Sequence, residues 1–541
     1  METRSNTPDL ILSARRCQLL SAHAPPAQAV AVQDGRIVAV GPRRGVLRLR
    51  GRATRVVDLG DAVLTPGLVD CHTHFFYWAL GRALVIDVSD LTTLDAVLTR
   101  IRTQARSHRV GAWVVGRGFD HNRWGVEFPT AADLDRAVPR CPTMLHSRDG
   151  HSTWLNTAGL RAAGITARTR DPQGGRYLRD AHGRLTGIVQ ETAIERLPDP
   201  LRDVARRTDA AARHIIDDAL ADAYRAAWRL GITGVHAMDD GPSLTHLLRH
   251  RTARRLGLRI VHAIALADLD RACQLGLRSG LGDDWLRIGG VKIFADGALG
   301  SQSAFMFDPY PGRRDYCGVP VLTGAELETT VRKAVEHGWA AWIHAIGDRA
   351  VHETVAALAA APRPGPATLP HRVEHAQCVR PADVHRMARA GIVASVQSCH
   401  ILGDIGSADR HWPRARRNAF PLRRLLDAGV VLAAGSDVPV ESIDPRRSLF
   451  AATMRTDERG QPRGGWFPEQ RISIGDALRA FTVGAAAATG RAAPAGTLAV
   501  GAPADLTIWT DDPLDAAPET LLTIGIRGCV VDGQIHMAED A

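Results

Sequence analysis

Apolar and polar positions follow two textures along this chain. From about residue 10 to 60 they alternate in short runs, Ala29-Val-Ala-Val32, Arg36-Ile-Val-Ala-Val40 and Thr54-Arg-Val-Val-Asp58, divided by Gln33-Asp-Gly35 and Gly41-Pro42. Alternation bounded by Asp-Gly and Gly-Pro predicts strands and hairpins. The texture returns in Gly496-Thr-Leu498, Ala504-Asp-Leu-Thr-Ile-Trp509 and Cys529-Val-Val-Asp-Gly533. A small β-rich domain assembled from both ends, residues 1–62 and 490–541, is therefore expected. Between them, apolar strand-like runs at 64–74, 233–238, 290–295, 340–344, 372–375, 392–397 and 430–436 alternate with helix-like stretches at 204–230 and 327–337. That rhythm builds a parallel sheet. The expected fold class is α/β, with a (β/α)8 barrel of the TIM type over residues 63–489. Residues 84–205 break the rhythm with turn-dense segments such as Asp171-Pro-Gln-Gly-Gly175. They read as an insertion after the first barrel strand, a lid or substrate-facing subdomain that also holds one further barrel strand.

With 541 residues and 45% hydrophobic content the chain can bury a large core. Its formal charge of +9 is spread among 67 basic and 58 acidic residues with no long basic run, so a solvated arginine-rich surface is expected and a nucleic-acid partner is not. The eight cysteines form no CxxC pair, which suits a reducing compartment. Leu10-Ile-Leu12, after a polar start, is too short for a signal-peptide core or a membrane span. A cytoplasmic protein without membrane attachment is expected, its oligomeric state left open, a homodimer included. One count is sharper: only Lys292 and Lys333 among the basic residues are lysines. A lysine in a strand-like run of such a chain asks for a chemical reason.

The chemistry-bearing residues fall at the ends of the predicted strands. His72-Thr73-His74 closes the run Ala62-Val-Leu-Thr-Pro-Gly-Leu-Val-Asp-Cys71, and residues two apart on a strand share a face, so one cation can take both imidazoles. Lys292 lies in Gly290-Val-Lys-Ile-Phe-Ala-Asp-Gly297. A buried lysine, unlike an arginine, can shed its proton, and the free amine can add CO2 to give an anionic carbamate. His344 ends Ala340-Ala-Trp-Ile-His344, His375 ends His371-Arg-Val-Glu-His375, and Asp437 follows Val430-Val-Leu-Ala-Ala434 in Gly435-Ser-Asp-Val-Pro439. Taken singly, each has a structural alternative: a core histidine, a snorkelling lysine, a helix N-cap.

Their order along the chain, HxH, Lys, His, His, Asp, resembles that of the metal-dependent amidohydrolase superfamily, and specifically its amidohydrolase-3 branch of formamide deformylase-like enzymes. The motifs that carry the resemblance span nearly the whole chain: Leu64-Thr-Pro-Gly-Leu-Val-Asp-Cys-His-Thr-His74, Lys292-Ile-Phe-Ala-Asp-Gly-Ala-Leu-Gly-Ser301, His344-Ala-Ile-Gly-Asp-Arg349, Gly435-Ser-Asp-Val-Pro-Val440 and Ala504-Asp-Leu506. The resemblance implies a (β/α)8 barrel with a flanking β-sandwich built from both termini, and that His72 and His74 hold one divalent metal and His344 and His375 a second. Carbamylated Lys292 would bridge them, and Asp437 would carry the proton of an activated water. Zn2+ suits such donors, with one or two ions per chain.

It also implies hydrolysis of a C–N bond in a small-molecule amide, an N-acyl or N-formyl amine. Cyclic-amidine deamination and cyclic-amide hydrolysis are the alternatives within the same chemistry. A Schiff-base lyase using Lys292 as nucleophile, or a catalytically silent binding protein, is the alternative outside it. Gln302 in Gly300-Ser-Gln302 and His400 in Gln397-Ser-Cys-His400 stand where the family often has other residues, and both are expected to face substrate. His151 in Asp149-Gly-His-Ser152 and Glu191 in Gln190-Glu-Thr192 match family motifs as well, His151 as a candidate substrate contact.

Overall fold

The structure is a computed structural model and describes all residues except 1–6, 21–25, 108–111, 120–123, 125–127, 148–151, 173–174, 192, 323, 362–368, 492–493 and 540–541. It divides into two compact units, residues 1–76 with 221–541, and residues 77–220. The first holds an eight-stranded parallel sheet: β1 (Leu68–Thr73), β2 (Ile232–Ala237), β3 (Arg259–Ala265), β4 (Leu286–Phe294), β5 (Ala341–Ala345), β6 (Arg372–His375), β7 (Val393–Val396) and β8 (Leu432–Ala434). Each strand pairs with its neighbours in chain order. The expected (β/α)8 barrel is what forms. Most of its strands are near-continuous apolar runs, β2 being buried at all six positions, because helices cover the outside and side chains fill the inside.

The barrel closes where the chain leaves β8. Asp437 N donates to His72 O at 2.7 Å and His74 N to Val438 O at 2.8 Å. Ser436 N adds a bond to Asp70 Oδ1 at 3.0 Å. Gly435 makes this approach possible: a Cβ there would stand 2.6 Å from His72 N and 2.9 Å from Asp70 Oδ1.

Two expectations need correction. The run 64–74 is not one strand. Val63–Pro66 pairs antiparallel with Leu506–Trp509 in a second sheet, and β1 begins after Gly67, whose Cβ would lie 2.3 Å from Thr233 Oγ1. Periodicity cannot see this change of sheet, because both halves are buried. Nor do the described residues of 84–205 hold a barrel strand: the one missing from the sequence reading is β3, buried at five of its seven positions. It ends on Ala265 rather than on a reactive group, so nothing chemical flagged it.

The second sheet of this unit draws strands from both ends of the chain, in the order Gln534–Met537, Ile526–Val531, Leu506–Trp509, Val63–Pro66, Leu10–Cys17, Ala27–Gln33 and Arg36–Gly41, with Arg55–Asp58 also on Leu10–Cys17. Its own apolar core includes Leu12, Val30, Leu64, Leu506 and Val530. The unit of residues 77–220 has a six-stranded mixed sheet of its own, from Val85–Asp87 to Leu185–Glu191.

Gly435→Ala should force β1 and the β8 exit apart. Overpacking of this kind costs about 1–3 kcal/mol, so thermal melting should show a clear loss of stability together with weakened metal binding. An unchanged melting temperature would mean that the seam yields without cost.

Candidate metal centre

The inner face of β1 presents Asp70, then His72, then His74 toward the C-terminal end of the barrel, as alternation requires. His72 is fully buried, whereas the His74 side chain keeps 32% of its surface. Strand β4 adds Lys292, with its Nζ 3.3 Å from His72 Nε2. Strand β5 adds His344, and β6 adds His375, whose ring centroid lies 4.5 Å from that of His344 and 4.8 Å from that of His72. Beyond β8, Asp437 Oδ1 is 3.5 Å from His72 Nε2 and 3.6 Å from His74 Nε2, and its Oδ2 is 3.9 Å from His400 Nε2.

Two residues reach this place only because the backbone turns sharply there. His375 and Ala376 have φ of 70° and 43°, and Asp437 has φ of 62°, a region that side-chain-bearing residues seldom occupy and that clusters at functional sites. At β6 the turn lets the adjacent residues Glu374 and His375 both point to the centre, where plain alternation would send them to opposite faces.

Hydrogen bonds set the imidazole tautomers. His72 Nδ1 lies 2.7 Å from Glu374 Oε2, and a carboxylate can only accept, so the hydrogen is on Nδ1 and the Nε2 lone pair faces the centre. His344 Nε2 likewise donates to Gly297 O at 3.0 Å. Asp296, which accepts from Ile346 N, Gly347 N and Phe305 N at 2.8–3.0 Å, pins the turn carrying that carbonyl.

Burial sets the charges. It holds His72 and His375 well below the ordinary imidazole value and His344 down to about 3, with the Lys292 charge acting the same way on all three. His400 is lowered to about 4 by burial. Burial lowers the Lys292 ammonium to about 8 against the opposing charges of Glu374 and Asp437, and it raises Asp437 to about 7 against the pull of Lys292. At neutral pH these imidazoles are therefore neutral donors.

The donor set fits a metal. One ligand atom each from His72, His375 and Asp437 lie within 4.8 Å of one another. His375 Nδ1 and His400 Nε2 are buried with no hydrogen-bond partner, an arrangement that costs about 1–3 kcal/mol per group unless something fills it. Imidazole and carboxylate donors around a half-closed site suit Zn2+.

Of the residues singled out in the sequence, His72, His74, Lys292, His344, His375, Asp437 and His400 come together here. Gln302 does not: it sits in a tight turn at φ 54°, its N bonded to Leu299 O, and among the described residues no hydrogen bond or ion pair joins it to the centre. His151 lies outside the described residues. Glu191 ends the strand Leu185–Glu191. Sequence reasoning missed Glu374 and Asp70; for Asp70 a charged residue inside an apolar strand run was the available signal.

The sequence matches the profile of the amidohydrolase family over residues 55–537, and the chain belongs to that family. It is 30% identical over 521 residues to YtcJ of Bacillus subtilis (strain 168), covering 94% of this chain and 95% of that one. To the N-substituted formamide deformylase of Arthrobacter pascens it is 29% identical over 540 residues, 98% of each. The crystal structure of an uncharacterized metal-dependent hydrolase from Pyrococcus furiosus superposes with a TM-score of 0.76 at 25% identity, over 93% of this chain and all of that one. Family and relatives make the protein a metal-dependent hydrolase acting on carbon–nitrogen bonds. No helix among the described residues is long and apolar enough to cross a membrane.

A ligand that binds only the folded state stabilises it by about 4 kcal/mol at 1,000 times its Kd. Zn2+ added to chelator-stripped protein should therefore raise the melting temperature, and His72→Ala or His375→Ala should abolish most of that rise. A full Zn2+ shift in both variants would remove these residues from the metal set.

Proposed function

We propose that the protein hydrolyses the amide bond of an N-acyl or N-formyl amine in the cytoplasm, with His72, His74, His344, His375 and Lys292 as the metal-holding set and Asp437 as the proton carrier. The observation that carries the reading is the buried convergence of neutral imidazoles on one carboxylate, with His375 Nδ1 left without a partner. When bound, the metal supplies Lewis acidity that lowers the pKa of water toward about 7 and polarises a carbonyl.

The chain's own residues do the rest. Asp437, reaching His72 Nε2, His74 Nε2 and His400 Nε2 within 3.5–3.9 Å, takes a proton from water at its carboxylate and returns it to the departing amine nitrogen. Its backbone amide is anchored on His72 O at 2.7 Å, so the carboxylate is aimed before substrate arrives. Lys292 as a carbamate would place an anion among the cation-holding groups, and its lowered pKa favours the free amine that carbamylation needs. Phe294, 45% exposed on the Lys292 side of β4, stands with its ring centroid 5.1 Å from that of His344. That ring offers an apolar wall to a substituent on the amide, in keeping with the N-substituted substrate named for the Arthrobacter pascens relative.

Asp437→Asn should keep fold and metal but lower kcat by roughly 10²–10⁴-fold on amide substrates, with KM changed little. In the wild type the rate should fall with acid as Asp437 takes up a proton. The positive charge of bound metal draws its pKa down from about 7, so the midpoint should lie at or below 7, and the variant's residual rate should lack that limb. A variant with near-normal kcat places the proton carrier elsewhere.

Lys292→Arg brings in a cation that cannot be neutralised and cannot be carbamylated. Loss of at least one metal and of activity is expected, with partial recovery when a small carboxylate is added to Lys292→Gly. Metal analysis and turnover decide the matter, and an active arginine variant with its metal intact would exclude the carbamate.

A further inference from the structure

Below the centre lies an ion pair that the hydrolytic reading leaves unused. Arg372 and Glu374 project from the same face of β6 into the barrel, and both are fully buried. Arg372 Nε stands 2.8 Å from Glu374 Oε1 and Nη2 3.0 Å from Oε2. The guanidinium touches four other strands as well. Nη2 donates to Cys71 O of β1 at 2.7 Å and to Ser395 Oγ of β7 at 3.1 Å. Nη1 lies 2.9 Å from His236 Nδ1 of β2, and the guanidinium carbon sits 4.0 Å from the Trp342 ring centroid of β5. Glu374 Oε2 also accepts from His72 Nδ1 at 2.7 Å.

We infer that Arg372 and Glu374 form a positioning pair that loads the centre by fixing the tautomer and orientation of His72; this rests on the reading of His72 as a metal ligand. An imidazole has one lone pair to give, and only the tautomer with hydrogen on Nδ1 turns it from Nε2 toward Asp437 and Lys292. Glu374 selects that tautomer. Alone, a carboxylate so near the centre would carry an unpaired buried charge and be free to swing toward a cation itself. Arg372, which can only donate, hydrogen-bonds Oε2 through Nη2 and faces Oε1 as an ion contact through Nε, and prevents that. A guanidinium anchored on five strands leaves Glu374 little freedom, so His72 is held in place before any metal arrives.

A buried ion pair can also be mere core filling, and replacing one with apolar residues of similar volume is often neutral or stabilising. The double variant Arg372→Met, Glu374→Leu uses that fact, because it leaves no lone charge to unfold the barrel but removes the acceptor from His72 Nδ1. Zn2+ affinity would be measured by chelator competition on stripped full-length protein, the Co2+ electronic spectrum would report ligand geometry, and melting in chelator would report the fold. The expected result is a 10–100-fold loss of Zn2+ affinity and an altered Co2+ spectrum in both the double variant and Glu374→Gln, with the double variant melting close to wild type in chelator. A double variant that melts normally and binds Zn2+ within about twofold of wild type overturns the inference. His72→Ala is the separate control: wild-type affinity there overturns the ligand assignment, and this inference with it.

Discussion

The seam between the first and last barrel strands is the constraint on which the rest depends. Its hydrogen bonds, Asp437 N to His72 O and His74 N to Val438 O, are at once the closure of the sheet and the measure of distance between a carboxylate and two imidazoles. A barrel must close with a fixed stagger, and here the last step of closure is taken by residues just beyond β8 rather than by the strand itself. The centre therefore exists only in the closed barrel. Its geometry is held by backbone hydrogen bonds, which are stiffer than any side-chain contact nearby.

Concentrating so many titratable groups in a buried volume has a definite electrostatic outcome. Burial disfavours charge on each imidazole, and Lys292 pushes the same way on His72, His344 and His375, so protons do not compete for these nitrogens near neutral pH. Metal binding is weakened wherever ligands must first lose protons, and this arrangement removes that obstacle for the histidines. The carboxylate responds oppositely, since burial lifts Asp437 to about 7. On the proposed reading that shift eases the return of a proton that the carboxylate has taken up.

Much of this was legible in the sequence because barrel chemistry sits where strands end, and strand ends are marked by apolar runs stopping on a polar residue. His72, Lys292, His344 and His375 were visible for that reason. Strand β3 was not, because Arg259-Ile-Val-His-Ala-Ile-Ala265 stops on alanine. The change of sheet at Gly67 was hidden because a buried run looks the same in either sheet. Glu374 was hidden by the rule of alternation itself: a residue adjacent to His375 should face away, and only the positive φ at His375 and Ala376 lets both reach inward. Dihedral strain of that sort leaves no mark in a pattern of apolar and polar positions.

The two cations inside the barrel show how the chain allots its basic residues. Arg372 meets a carboxylate, a hydroxyl, a carbonyl and an imidazole that all require a donor, and arginine supplies donors in a fixed fork and never loses its charge. Lys292, with its Nζ 3.3 Å from His72 Nε2, meets the opposite demand. There a permanent charge would repel the cation that the donors are built to hold. Burial lowers this lysine to about 8, toward the free amine that a carbamylation on the proposed reading would consume. The only other lysine, Lys333, pairs with Asp270 on the surface, where arginine would serve as well. A chain that uses arginine nearly everywhere else has thus placed lysine at the one interior position where a removable charge has a chemical use on the proposed reading.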